Sequence, residues 1–499
     1  MTLAALTARL NDILCAANLL VWDARTQMPA GGAETRGQQI ATLKGLARDL
    51  ILSPAMRGAV DTALNDTHAL PDDHPDRRAA QAVAAAITHH AKIPASLLQS
   101  QAELATVAQA AWAEARAKSD FTIFRPYLER TIAQARAQAD ALGYDAHPYD
   151  AMLPIYEPGE TAASLAAFFQ VLRAGLKPIL AAARAKPAPR TDFLYRDFPE
   201  AAQRAFAVEL AGILGYDTTR GRLDTAVHPF EISFTRQDVR ITTRYRQNYL
   251  PMSIFGTAHE TGHALYEQGI APAFTRTAHA TDMIGLYAVG GTSFGAHESQ
   301  SRLIEMHIAR DPGFWTLHFD RLARHFPQAL GDVTPTEFSA AVNRIEPGLI
   351  RVEADELTYD FHIMLRVDLE MALMDGSLKV ADLPEAWNAA ISRDLGLDVP
   401  SDAMGCLQDV HWSSGYVGSF PTYTVGNVMA AQLMDNIRRT APDVISSVAA
   451  GDYTPLHRKL ESDVWRHGRS LTRAEIVTRA TGTPPDTGPY LDHLARRFG

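Results

Sequence analysis

Cysteine is almost missing from this chain. Its 499 residues include two, Cys15 and Cys406, which excludes a disulfide scaffold and suits a reducing compartment such as the cytoplasm. The N-terminus also lacks the marks of a membrane span or export signal. The stretch ILCAANLLVW at 13–22 is shorter than the roughly 20 residues that cross a bilayer, and no basic run precedes it. It leads straight into WDARTQMP and reads as a core helix, not an export signal. Without export, the Asn65-Asp66-Thr67 sequon carries no meaning. Dense basic tracts are likewise absent: 47 Lys and Arg against 57 Asp and Glu give a net charge of −10. That argues against nucleic acid as a partner. No internal repeat, low-complexity tract or flexible linker interrupts the chain, so residues 1–499 read as one unit, with no membrane part.

What is present is a helical pattern. At 46% hydrophobic and 21% charged residues the chain can bury a very large core. Ala-, Leu- and Gln-rich stretches with helical apolar spacing, such as 79–118, predict a mainly α protein. Loops are expected at PDDHPD (71–76), at YEPGET (156–161) and at KPAPRTD, which begins at Lys186. One region breaks the helical rule. FEISFT (230–235) and VRITTRY (239–245) alternate apolar and polar residues around RQD, the pattern of a short β-hairpin.

Just downstream stands HETGH, 259–263. On a helix His259 and His263 lie one turn apart on one face, within reach of one ion, and Glu260 is placed to touch a water on that ion. Gly262 is a poor helix former whose missing side chain would admit another backbone or a substrate. Gly269 is expected to end the helix. A catalytic zinc needs a third protein ligand. The H-E-x-x-H-x-x-G-x-x-H version fails, because Tyr266 and Gly269 stand where its glycine and third histidine belong. Candidates farther on are His279, Asp282, His297, Glu298, Glu305 and His307, the last four within HESQSRLIEMHIAR (297–310), a helix pattern stopped by Asp311-Pro312. Glu298 is preferred, in the first turn of that helix, where the helix dipole favours a carboxylate.

Five separated motifs then point to a family. DVRIT (238–242), HETGH, HESQ (297–300), IRVEAD (350–355) and GCLQDVHW (405–412) resemble, in order, the signatures of the carboxypeptidase Taq family of zinc-dependent metallocarboxypeptidases. Softer likenesses are LLVWDARTQMP, YEPG, RLDTAVHPF, FPTYTVGN and RHGR. The resemblance runs from about residue 19 to the C-terminus. It implies a nearly all-helical fold with a deep substrate groove, similar to neurolysin and angiotensin-converting enzyme, usually a homodimer, with zinc or cobalt as the active ion. It also implies removal of single residues from the C-terminus of peptides with broad specificity. An oligoendopeptidase or dipeptidyl carboxypeptidase of the same superfamily, and an inactive peptide-binding scaffold, are the alternatives.

The residue roles follow from that chemistry. Glu260 is the expected general base, and His411 and Tyr423, matching the H-W and P-T-Y segments, are the expected donors to the oxyanion. A carboxypeptidase also needs a cation for the substrate's terminal carboxylate, and arginine's planar fork suits it. Arg351 is the first choice, unless it pairs with Asp355, and Arg240 the second. Gln408 and Asp409 are expected in the groove wall or behind it, and Asp355 could act similarly. An extended peptide could also pair along an edge strand of the hairpin. Departures from the family pattern are a longer connection between His263 and Glu298, which could alter substrate access, Met306-His307 for a polar residue, Ser419 for a tyrosine and Pro154 for an acid.

Overall fold

Helices carry most of the chain, as its composition implies, and one small sheet interrupts them. The computed structural model describes residues 1–499. Contacts divide the chain into two compact units. The first comprises Met1–His90, Ala188–Asn343 and Gly426–Asp486, and the second Ala91–Pro187, Arg344–Val425 and Thr487–Gly499.

In the first unit the N-terminal helix, Leu3–Thr26, is capped by the Thr2 hydroxyl. It sets Leu6, Leu10 and Leu14 in a core with Ile51, Val60 and Val83, so 13–22 is part of a core helix. Asn11 and Asn18 on this helix donate to the carbonyls of Ala280 and Ala288. The long connection before Glu298 is thereby packed against the N-terminal helix, with Ala278, Met283 and Ala288 inside the same core. It is not the free-hanging loop that its length allows.

The sheet has three strands, β1 (Gly221–Thr225), β2 (Glu231–Thr235) and β3 (Asp238–Thr243), in the order β1-β3-β2. β2 and β3 form the expected antiparallel hairpin, and β1 adds a parallel partner to β3. The strand DVRITT is therefore central. A peptide cannot pair along it; the edge strands are β1 and β2, and on β2 Asn18 and Cys15 of the N-terminal helix already donate to the Ser233 and Phe234 carbonyls. Sequence periodicity missed β1 because GRLDT buries only Asp224.

Behind the sheet lies the HETGH helix, Pro251–Gly269, started by a proline at its first turn and buried on nearly every side. A Cβ on Gly262 would sit 2.6 Å from the Ser301 Cα, so the glycine is what lets the next helix, Phe294–Arg302, lie against it. Gly269 does end the helix, but without a left-handed cap: the following Ile270 is extended, and the glycine makes room for the Trp465 ring, 2.6 Å from where a Cβ would be. The Phe294–Arg302 helix is capped by Ser293 and continues as a π-helical stretch over Leu303–Ala309. Glu298 thus falls in its second turn, not its first, so the dipole argument for it weakens and packing places it instead. Pro94 splits the 79–118 stretch into two helices, and in the second unit the helix Tyr359–Asp375 is largely buried.

Candidate active site

HETGH and HESQ meet because Gly262 allows it, and three side chains converge there. The Glu298 Oε2 lies 3.5 Å from His259 Nε2 and 3.4 Å from His263 Nε2. Three ligands at about 2.0–2.1 Å from a tetrahedral ion are separated by about 3.3–3.4 Å, so these atoms fit one cation with little adjustment. From another side, a Cβ on Gly426 would lie 2.7 Å from the Glu298 Cγ; this glycine presses its helix, Pro421–Thr440, onto the glutamate's stem. Glu260 is buried beside the triad, and its Oε2 has no protein partner, as suits a carboxylate that serves a water.

Charge at the triad favours a cation. Burial alone would lower His259, but Glu298, Glu305 and Glu260 override it and hold this imidazole well above its usual value. Burial pushes His263 down to about 4. It would raise Glu298, yet the two histidines keep it well below the carboxylate range. Burial, helped by Glu298 and Glu305 against His259, pushes Glu260 up to about 8.

Each histidine is oriented from behind. Glu305 accepts from His259 Nδ1 at 3.0 Å and is itself held by Arg302 at 3.1 Å and Arg310 at 3.2 Å; the π-helical stretch carries it. His263 Nδ1 lies 2.6 Å from His297 Nδ1, and His297 Nε2 lies 3.1 Å from Glu267 Oε1. Of the six candidates for third ligand, Glu298 is thus in place, while Glu305 and His297 support the two histidines. His279 contacts the Pro75 carbonyl, Asp282 caps Ile284 and Gly285, and the triad does not include His307.

In the second unit the remaining candidates gather around one carboxylate. Asp409 Oδ1 accepts from Arg351 Nε at 3.0 Å and Nη2 at 2.7 Å, and its Oδ2 accepts from Arg366 Nε at 2.6 Å. Two guanidinium groups thus share one acid, which they hold far below the usual range against the effect of burial. Burial lowers Arg366 to about 10, with Asp409 opposing and Arg351 reinforcing. Gln408 accepts from the Arg351 backbone N–H and from Arg366, both at 3.2 Å, and donates to the Leu349 and Met404 carbonyls. Arg351 does not pair with Asp355, which caps the backbone of Leu357 and Thr358 instead. His411 Nε2 and Tyr423 Oη are 3.3 Å apart.

Arg240 is differently placed. In the first unit, its fork is taken by Asp238 at 2.9 and 2.8 Å, and it stacks on the Trp22 and Phe234 rings. Sequence reasoning overlooked Arg366 and Glu370 altogether. The signal was available: Asp360, His362, Arg366 and Glu370 punctuate a largely apolar helix, and all four are fully buried, whereas Asp368 and Asp375 are exposed. Glu370 accepts from Trp412 Nε1 at 2.8 Å and from the Gly418 N–H at 3.0 Å. Together with Arg366, it ties the GCLQDVHW segment to the helix.

The whole chain has relatives. A family described as carboxypeptidase Taq (M32) metallopeptidase matches residues 2–498. Carboxypeptidase 1 of Bacillus subtilis is 35% identical over 494 residues, covering 99% of this chain and 96% of that protein. Thermostable carboxypeptidase 1 of Thermus thermophilus is 38% identical, over 96% of this chain and 94% of its own. The solved structure of the Pyrococcus furiosus carboxypeptidase is 32% identical and superposes with a TM-score of 0.94, covering 100% of this chain and 98% of that one. With its mainly helical fold and its His-His-Glu cluster, this chain belongs to the carboxypeptidase Taq (M32) family of metallocarboxypeptidases.

Proposed function

We propose that this chain, acting as one catalytic domain, removes single residues from the free C-terminus of peptides with broad specificity, using Zn²⁺, or Co²⁺ in its place, held by His259, His263 and Glu298. The observation that carries this reading is the close approach of Glu298 Oε2 to the Nε2 atoms of both histidines beside the partnerless carboxylate oxygen of Glu260. A divalent ion bound there supplies a lowered pKa for water and polarises the scissile carbonyl. Glu260 takes the proton of the attacking water and passes it to the leaving amine, and its burial, which favours holding a proton, suits that shuttle. His411 and Tyr423 donate to the developing oxyanion. Arg351 receives the terminal carboxylate, since Asp409 neutralises only one of the two arginines bound to it. Arg240 remains the second choice, with its fork already committed to Asp238.

Mass spectrometry of peptides with free and amidated C-termini tests the reading on metal-loaded protein. Single-residue ladders from the free forms alone are expected; internal or two-residue cuts indifferent to amidation would move the protein to an oligoendopeptidase or dipeptidyl carboxypeptidase reading. A homodimer in the cytoplasm is proposed on the resemblance alone, and sedimentation velocity tests the dimer.

A further inference from the structure

The two metal-facing histidines are anchored by different devices. His259 meets a carboxylate directly, whereas a second imidazole stands between His263 and its acid. The hydrogen bonds fix where the protons are once His263 Nε2 serves as a ligand. That nitrogen then offers its lone pair, so the ring's proton sits on Nδ1 and is donated to His297 Nδ1, 2.6 Å away. His297 must accept there, which leaves its own proton on Nε2, pointing at Glu267 Oε1, 3.1 Å away. Glu267 closes the chain: it also accepts from Ser233 on β2 at 3.1 Å and from the backbone N–H groups of Gly290 and Gly291 at 3.0 and 2.9 Å.

The His297 ring has little freedom to leave this line. It lies against the rings of His263 and Tyr266, with centroids 4.7 and 5.4 Å apart, and a Cβ on Gly291 would collide with it. Glu267, one turn beyond His263 on the same helix, is buried. Backbone donors with no rotamer to change therefore fix an acid, the acid fixes an imidazole, and the imidazole fixes the ligand.

We propose that His297 is a positioning residue: it relays the anchorage of Glu267, and through it of the Gly290-Gly291 turn and β2, to the tautomer and orientation of His263. The proposal rests on the reading of His263 as a metal ligand. It makes the connection before Glu298 part of the metal site's support.

Two variants that cut the relay on opposite sides test it. In His297→Asn the amide oxygen stands near the place of Nδ1 and still accepts from His263. In His297→Gln the longer side chain reaches toward Glu267 and leaves His263 without an acceptor. Each protein is loaded with Co²⁺, its visible spectrum is recorded, and metal release to a chelator is timed, with the melting temperature of the metal-free protein as the folding control. Loss of such an outer partner weakens metal binding by about 10–100-fold, so His297→Gln should release cobalt that much faster with a changed spectrum, and His297→Asn should fall between it and the wild type. Wild-type release in both variants, or faster release from Asn than from Gln, overturns the relay. If the wild-type protein itself takes up no equivalent of Co²⁺ or Zn²⁺, the metal reading fails instead, and the relay with it.

Discussion

Gly262→Ala puts the packing argument to its hardest test. A Cβ at this position would lie 2.6 Å from the Ser301 Cα and 2.8 Å from the Gln300 carbonyl carbon, and would meet the Gln300 oxygen as well. All three are backbone atoms, so no side chain can swing away. Relief requires the two helices to part by about 1 Å, back to ordinary van der Waals separation. His263 is the next residue on one helix, and Glu298 lies one turn from Ser301 on the other. Their present 3.4 Å spacing would stretch by a similar amount, against a tolerance of about 0.2 Å in a metal–ligand distance. Overpacking costs about 1–3 kcal/mol, while replacing a mid-helix glycine by alanine returns about 1 kcal/mol. The metal-free variant should therefore melt only slightly earlier than the wild type. Metal affinity should fall at least tenfold, and kcat/KM by about 100-fold, as for a misplacement of this size. Gly256→Ala on the same helix is the control: its nearest neighbour would be 3.6 Å away, so it should be neutral or stabilising. Calorimetry of the metal-free proteins and metal analysis after gel filtration decide the matter. Wild-type metal affinity and activity in Gly262→Ala would refute the reasoning.

Glu260→Gln should keep its metal and its KM while kcat falls by about 10²–10⁴-fold, read by steady-state kinetics and metal content together. Arg351→Ala should raise KM for peptides with a free C-terminus by tenfold or more and leave the poor turnover of amidated peptides unchanged. Asp409→Asn strands two buried guanidinium groups and should destabilise the fold by about 3–5 kcal/mol, measured by denaturant titration. Asp409's folded pKa is depressed, so its contribution is complete above the unfolded value near 4 and is lost as pH falls below it. The gap between wild type and Asp409→Asn should therefore be widest at neutral pH and narrow under acid. Chelation should abolish hydrolysis and lower the melting temperature, with Zn²⁺ restoring both, because an ion that binds only the folded state stabilises it by mass action.

The local parts of this site were legible, and the tertiary parts only partly so. Two histidines four apart on a helix share a face by geometry alone, and the alternation in FEISFT and VRITTRY gave the hairpin. β1 escaped because pairing with the central strand β3 sets it at the sheet's edge, not a pattern in its own mostly polar residues. The third ligand required two helices to be neighbours, which spacing cannot express; Gly262 was the visible trace of that contact, legible as a place of close approach but not of approach to what. His297 and Glu305 were recognised as residues of the right type in the right helix. Distinguishing ligand from support takes the rotation of that helix, and the π-helical stretch at Leu303–Ala309 changes that rotation in a way no 3.6-residue period foretells. Arg366 went unnoticed because the motifs that carry the resemblance do not include it, although an arginine between Leu365 and Val367 on a helix this rich in apolar residues demands a buried partner.

The two clusters obey one electrostatic rule with opposite signs. Burying a charge costs several kcal/mol unless it is paired, yet each unit concentrates charge of one sign. Around the HETGH helix the carboxylates of Glu231, Glu260, Glu267, Glu298 and Glu305 face only Arg302 and Arg310 among the permanent cations that bind them. The protein groups alone balance this with protons, for burial and like charge raise Glu231 and Glu260, and His259 stays protonated beside Glu298. A divalent cation displaces such protons, so its binding should strengthen with pH. In the second unit Arg351 and Arg366 share one carboxylate, and arginine cannot shed its excess charge. Glu370, buried near Arg366 and raised to about 7 by burial, can balance it by ionising, and so can an incoming anion. The acidic cluster of the first unit thus suits a metal ion, and the arginine pair of the second suits an anion such as a carboxylate.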